Sequence, residues 1–286
     1  MTDVSLIHTS GGLIGDVITD SLRQATVDGD AKFLADPSTF TGRDGVPPTR
    51  TQLSADLEAA FRACVALWSA YAAELDADMD VSRVREKLVL PMLDLFGFTP
   101  VYQRAKLPAG DRTWTVSHLG WDGPDAPPLS VVAVADLDAR ESRARSAHEE
   151  LQGYLNAATA RWGLLTNGRV LRLLRDYHHT RTRGYVEFDL AAAFEAGSYS
   201  DFLALWRLCH ASRFLPQTAT DAGAADIEAE PGDEGEDTDD GDDDTAASDT
   251  PRGPDSTLLE RLHAKALTAG VAAGKRLQPQ VRQAIS

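Results

Sequence analysis

Six arginines and two histidines lie between Arg161 and Arg183, against a single acid, Asp176. Guanidinium groups in this density suit phosphate oxygens, which they hold through charge and paired N–H donors without reading base sequence. Arg169, Arg172, Arg175, Arg181 and Arg183 are therefore the candidate contacts to duplex DNA. The alternative is a solvated hairpin whose arginines pair with Glu149 and Glu150. Other chemistry is thinly supplied. Cys64 and Cys209 sit in apolar, helix-patterned surroundings and read as buried free thiols of a cytoplasmic protein. With two cysteines and scattered histidines, no structural zinc site is expected.

The element that must present these arginines is centred on Asn167-Gly168, which lies between two apolar runs. Asn-Gly at such a place predicts a two-residue type I′ hairpin, with positive φ at both positions. The first arm, 162–166, is almost wholly apolar and predicts a buried strand. In the second, Val170, Leu171, Leu173 and Leu174 interleave with Arg169, Arg172 and Arg175, which predicts one packed and one cationic side.

Around the hairpin the pattern is mixed. Residues 1–50 are rich in turn formers and predict an irregular segment with one short helix over 13–22. The spacing of Leu53, Leu57, Ala60, Phe61, Cys64, Leu67, Trp68 and Tyr71 predicts a helix over 52–76, with Ser54 as its cap. A second helix is expected over 82–96, bent at Pro91 and closed by Gly97. Strands follow near 113–116 and 129–134, then a charged helix over 142–157, the hairpin, a strand over 185–188 and a helix over 190–209. That order predicts an α/β (α+β) domain over 51–216, a mixed sheet flanked by helices.

The net charge of −16 is distributed unevenly. Residues 221–255 hold 15 acids and one arginine, a net of −14, and 256–286 hold five basic residues and one acid, a net of +4. That leaves −6 for residues 1–220, an ordinary surface charge that does not exclude nucleic acid. Residues 217–255 predict a disordered acidic linker, because almost nothing in them can be buried. Thr257-Leu258-Leu259-Glu260 is a capping box opening an amphipathic helix over 256–286, expected to be a lone helix at the start of a following domain cut short. No run of eighteen apolar residues is present, and no signal peptide or membrane contact is expected.

The run Arg161-Trp-Gly-Leu-Leu-Thr-Asn-Gly-Arg-Val-Leu-Arg-Leu-Leu-Arg-Asp176 resembles a W-G-[IL]-[LV]-T-N-G-x-x-[LW]-R-L signature of restriction–modification proteins. It follows Ser146-Ala-His148 and Leu151-Gln152-Gly-Tyr154-Leu155-Asn156, and precedes Tyr185-Val-Glu187-Phe188-Asp189-Leu190. The ordered set, with Gly11-Gly12-Leu13 and His210 to Phe214, is similar to the N-terminal region of type IIG and DISARM-like phage-defence adenine methylases. The resemblance covers most of the chain outside the acidic linker. It implies a restriction-endonuclease-like, PD-(D/E)xK-type domain preceding a methylase core. The chain carries no Asn-Pro-Pro-Tyr/Phe segment, so S-adenosylmethionine and the target adenine would belong to sequence absent from it.

The resemblance also names a nuclease site. Glu86 on the early helix, Asp122 or Asp125 on the second strand, and Asp138 would hold Mg²⁺ if hydrolysis survives. The strand over 129–136 should end in Glu-x-Lys, yet Val and Ala occupy those places. Arg140 in Asp138-Ala-Arg140 stays protonated and cannot act as a base near neutral pH. Gln152, or Glu150 with Tyr154, would match the family's helical Gln. The expectation is an inactive, DNA-facing accessory domain with no cofactor in this chain and not an enzyme on its own. Its partners would be duplex DNA and a methylase core or defence-system subunits. The alternatives are a Mg²⁺-dependent endonuclease using Glu86, Asp122 and Asp138, and a protein-interaction module of a defence complex.

Overall fold

The structure, a computed structural model, describes residues 6–41, 46–72, 81–132, 134–140, 142, 144–176, 184–216 and 257–270. The expected acidic linker lies outside the described residues. So do Arg181 and Arg183.

The first described strand, β1 (Ile7–Ser10), precedes the short helix α1 (Asp16–Leu22) and two 3-10 turns. The long helix α2 (Arg50–Tyr71) follows, started by Thr49 rather than Ser54. The Thr49 hydroxyl accepts from the Gln52 amide while the Gln52 side chain accepts from the Thr49 amide, a reciprocal cap that satisfies two otherwise orphan donors. Next comes one helical turn, α3 (Val81–Val84), a π turn over Arg85–Val89, and α4 (Leu90–Leu95). The expected disturbance at Pro91 takes the form of this π turn just before it, which accommodates a residue with no N–H to donate. Gly97 closes the helix at φ 81°, with the Phe98 amide donating to the Leu93 carbonyl at 3.1 Å.

Strands β2 (Val101–Tyr102), β3 (Leu107–Ala109), β4 (Arg112–Trp114), β5 (His118–Leu119) and β6 (Pro128–Val131) lead to helix α5 (Ala147–Ala157). The hairpin β7 (Trp162–Thr166) and β8 (Val170–Arg175) follows, then β9 (Tyr185–Asp189), α6 (Leu190–Glu195) and α7 (Tyr199–Cys209). The single helix expected over 190–209 is split at Gly197-Ser198, where the Ser198 hydroxyl caps α7. A last helix, α8, occupies 258–270.

Among the described residues seven strands form one sheet in the order β1-β9-β8-β7-β6-β5-β2, and β3 and β4 pair separately. Of its described pairings only that of β6 with β7 is parallel; α5 makes the crossover between them. The mixed sheet flanked by helices is as expected from the sequence. One face packs Leu129, Leu164, Leu171, Leu173, Val186 and Phe188 against α2, α4, α6, α7 and α8. The other packs Leu165 and Leu174 against Leu151 and Leu155 of α5. Fully covered faces explain why β6 and β7 read as continuous apolar runs instead of alternating ones.

Two expectations change. The N-terminal segment is structured: β1 pairs antiparallel with β9, and Leu13, Ile14 and Leu22 are fully buried. Three arginines fasten it. Arg23 Nε lies 2.8 Å from Asp201 Oδ1; Arg207 donates to the carbonyls of Leu22, Gln24 and Ala25; and Arg213 donates to those of Leu34 and Thr39. Nor is α8 a lone helix. Leu258, Leu259 and Leu262 lie inside the main core at 2%, 0% and 0% exposure, each such burial contributing about 1.5–3 kcal/mol. Among the described residues no helix is long and apolar enough to cross a membrane.

Candidate functional site

The hairpin turn differs from the predicted one. Gly168 takes φ 84°, but Asn167 is not in the left-handed region, so the turn is not type I′. The Asn167 side chain is the reason. Its Oδ1 accepts from the amides of Arg169 and Val170 at 3.0 Å, and its Nδ2 donates to the carbonyls of Val134 and Ala135 at 3.1 Å. Asn167 thereby ties the hairpin tip to the loop that leaves β6. The carboxyl ends of the parallel pair, Val134 and Ala135 beyond β6, and the start of α5 meet at this end of the sheet.

Arg172 stands at the centre of that end. It is 6% exposed. Nε donates to Glu187 Oε2 at 2.5 Å, Nη2 donates to Asp138 Oδ2 at 2.9 Å, and Nη1 lies 3.2 Å from His148 Nδ1. The guanidinium also covers the Tyr185 ring at 4.4 Å. Burial opposes the charge, but the hydrogen bonds and charges of Asp138 and Glu187 raise the Arg172 pKa above its ordinary value. His148, His8 and Tyr185 complete an aromatic wall. In effect an organic cation is fixed between two carboxylates.

Arg175 points to the opposite face, because it lies three residues further along a strand with a two-residue period. It is 9% exposed, and Nε and Nη2 each lie 3.0 Å from the Glu260 carboxylate of α8. Arg172 and Arg175 are thus held in internal pairs, and the cationic side predicted for β8 is buried on both faces. Arg169 is half-buried in the turn, its carbonyl accepting from the Ala191 amide at 3.0 Å.

The nuclease candidates are dispersed. Asp138 belongs to the Arg172 network. Glu86 sits on the π turn, 62% exposed and 3.9 Å from Arg85. Asp122 and Asp125 are exposed in the turn before β6. Among the described residues no three His, Cys, Asp or Glu side chains are grouped to hold a metal ion. Gln152 Nε2 donates to the Arg175 carbonyl at 2.8 Å and to Asn156, so it braces α5 against β8. Glu150 accepts from the Thr115 amide at 2.7 Å, and burial raises the Tyr154 pKa.

Set against protein-family models, curated proteins and solved structures, the chain matches none of them.

Sequence reasoning gave no site role to four of the residues at this end. Glu187, His148 and Tyr185 stand only among the residues that carry the resemblance, and their role comes through Arg172, which no local pattern shows. Arg145 could have been found from the arginine-rich run Arg140 to Arg145. Here Arg140 pairs with Glu149 and is 60% exposed; Arg145 is 40% exposed, 3.6 Å from Glu150 and 4.5 Å above the Trp114 ring. Arg140, Arg145, Glu149, Trp114 and Gly153 line an open cleft of about 250 Å³.

Proposed function

We propose that this chain is a DNA-facing accessory domain, restriction-endonuclease-like in fold and without hydrolytic activity. It would serve the adenine methylase of a restriction–modification or phage-defence system. The observation that carries this reading is the Arg172 guanidinium held between Asp138 and Glu187. In a nuclease of this type two such carboxylates would bind Mg²⁺. A permanent cation with directed N–H donors satisfies the same oxygens and leaves them little affinity for a metal. The methyl donor would be bound by a methylase core, the partner this domain would help to place on duplex DNA.

DNA contact falls to the exposed arginines of the 132–146 loop in place of the buried arginines of β8. Arg140 and Arg145 project solvent-accessible guanidinium groups at the carboxyl end of β6 and β7, with Arg169 in the adjoining turn. Phosphate contacts of this kind give affinity that is blind to sequence and falls with salt. Two assays on the whole chain test the reading. Supercoiled plasmid with Mg²⁺ or Mn²⁺ should remain uncut. Nicking that Asp138→Asn abolishes would overturn the inactive assignment. A mobility shift with duplex DNA should appear at low salt and weaken as salt rises; no shift at low salt would overturn the DNA-facing part.

A further inference from the structure

Arg161, Trp162 and Arg175 converge on one carboxylate. Glu260 Oε1 accepts from Trp162 Nε1 at 2.6 Å and from Arg175 Nε at 3.0 Å; Oε2 accepts from Arg175 Nη2 at 3.0 Å and lies 3.4 Å from Arg161 Nη1. Two guanidinium groups and an indole N–H around a single anion form the kind of donor set that takes phosphate as readily as carboxylate. The Glu260 side chain is 14% exposed, so the set is closed to solvent.

The helix that brings Glu260 is firmly seated. Leu258, Leu259 and Leu262 enter the main core, His263 Nδ1 lies 2.8 Å from the Leu13 carbonyl, and Arg261 covers the Phe33 ring at 4.6 Å. Thr257 bridges Pro216 in antiparallel pairing, which fixes the start of α8 beside the end of the segment that follows α7.

We propose that α8 is an intramolecular strap whose Glu260 fills an anion site made by Arg161, Trp162 and Arg175, keeping that site closed to nucleic-acid phosphate. This rests on the DNA-facing reading for the identity of the competing anion, but not for the strap itself. The full chain tests both. A specific protease sequence inserted after Asp240 lets the chain be cut once without removing any part of it. The cut wild-type protein should run as one species at micromolar concentration, because the α8 fragment remains docked. Glu260→Gln, which keeps the shape and loses the charge, should weaken fragment retention about tenfold or more, the size expected for hydrogen bonds to a charged group. In the cut protein with all parts present, a 30-base-pair duplex and added inorganic phosphate should each compete with the fragment and lower its retention.

Separation of the cut wild-type fragments would overturn the strap. Equal retention of the wild-type and Glu260→Gln fragments would overturn the anion site. Fragment retention that neither duplex nor phosphate lowers would overturn the masking of phosphate. The mobility shift of the uncut chain reads the DNA-facing assignment separately. Circular dichroism of the uncut Glu260→Gln protein distinguishes a lost clamp from a lost fold.

Discussion

A β-carbon on Gly153 would lie 2.1 Å from the six-membered ring of Trp114, so helix α5 and the indole already share all the space between them. Arg145 covers the indole at 4.5 Å, and Trp114 Nε1 donates to the Ala109 carbonyl at 3.1 Å. The ring therefore joins the β3–β4 hairpin to α5 and cannot retreat freely.

Gly153→Ala is accordingly expected to destabilise, although alanine is the better helix former by about 1 kcal/mol. Overpacking against a pinned aromatic costs about 1–3 kcal/mol and outweighs the propensity gain. A lower urea midpoint with a changed near-ultraviolet tryptophan signal is the expected outcome. An unchanged or higher midpoint would show that the ring has room to move.

Removing the cation between Asp138 and Glu187 should act on stability and not on DNA affinity. Arg172→Met leaves two carboxylates facing each other beside His148, a loss of about 3 kcal/mol for a broken buried pair. Arg140→Ala with Arg145→Ala should do the reverse. Both side chains are substantially exposed, so stability should change little while the salt slope of duplex binding flattens by about 0.9 per lost phosphate contact. Titration at several salt concentrations, beside urea melts, separates the two outcomes.

Acidification should destabilise the protein through two buried histidines. Burial lowers the His210 pKa to about 3, with Arg213 adding to the shift, and lowers that of His118 to about 4, with Arg85 adding. In the unfolded chain both take a proton near pH 6.5. Between those values the unfolded state binds more protons, so stability is complete above about pH 6.5 and falls as pH drops toward the folded values. At pH 5 each histidine should have contributed a loss of about 2 kcal/mol. Urea midpoints at pH 7 and pH 5 measure it, and His118→Gln should flatten the slope.

Glu260 acts at lower pH. Burial pushes its pKa up, but Arg175, Arg161 and the Trp162 N–H push it down further, and the net direction is down. A depressed folded pKa gives stability that is present above the ordinary carboxylate range and lost as pH falls through the folded value. Wild type should therefore lose more stability than Glu260→Gln on passing below about pH 4. Parallel slopes for the two proteins would argue against an ionised carboxylate at that position.

Much of the sheet was legible because its signals are local. Asn167-Gly168 marked the hairpin, the apolar spacing marked α2, and the unbroken run at 129–134 marked a strand covered on both faces, which forms over Pro128–Val131. The turn type was missed because Asn167 spends its side chain on Val134 and Ala135, which lie more than thirty residues away in the chain. The edge strand β1 was missed because four residues among turn formers carry no period of their own. The arginines of β8 were misplaced for a similar reason. Alternation shows which face a side chain takes, but whether that face is wet depends on Glu187, Asp138 and Glu260 from other elements.

Pro216 and Thr257 are held side by side by the folded body, independently of what connects them. Extra residues placed between them lengthen a closed loop whose ends are already fixed. Doubling such a loop costs only about 0.6 kcal/mol. The position is therefore a natural splice point, where a fluorescent or affinity module could be carried on the same chain without disturbing the sheet.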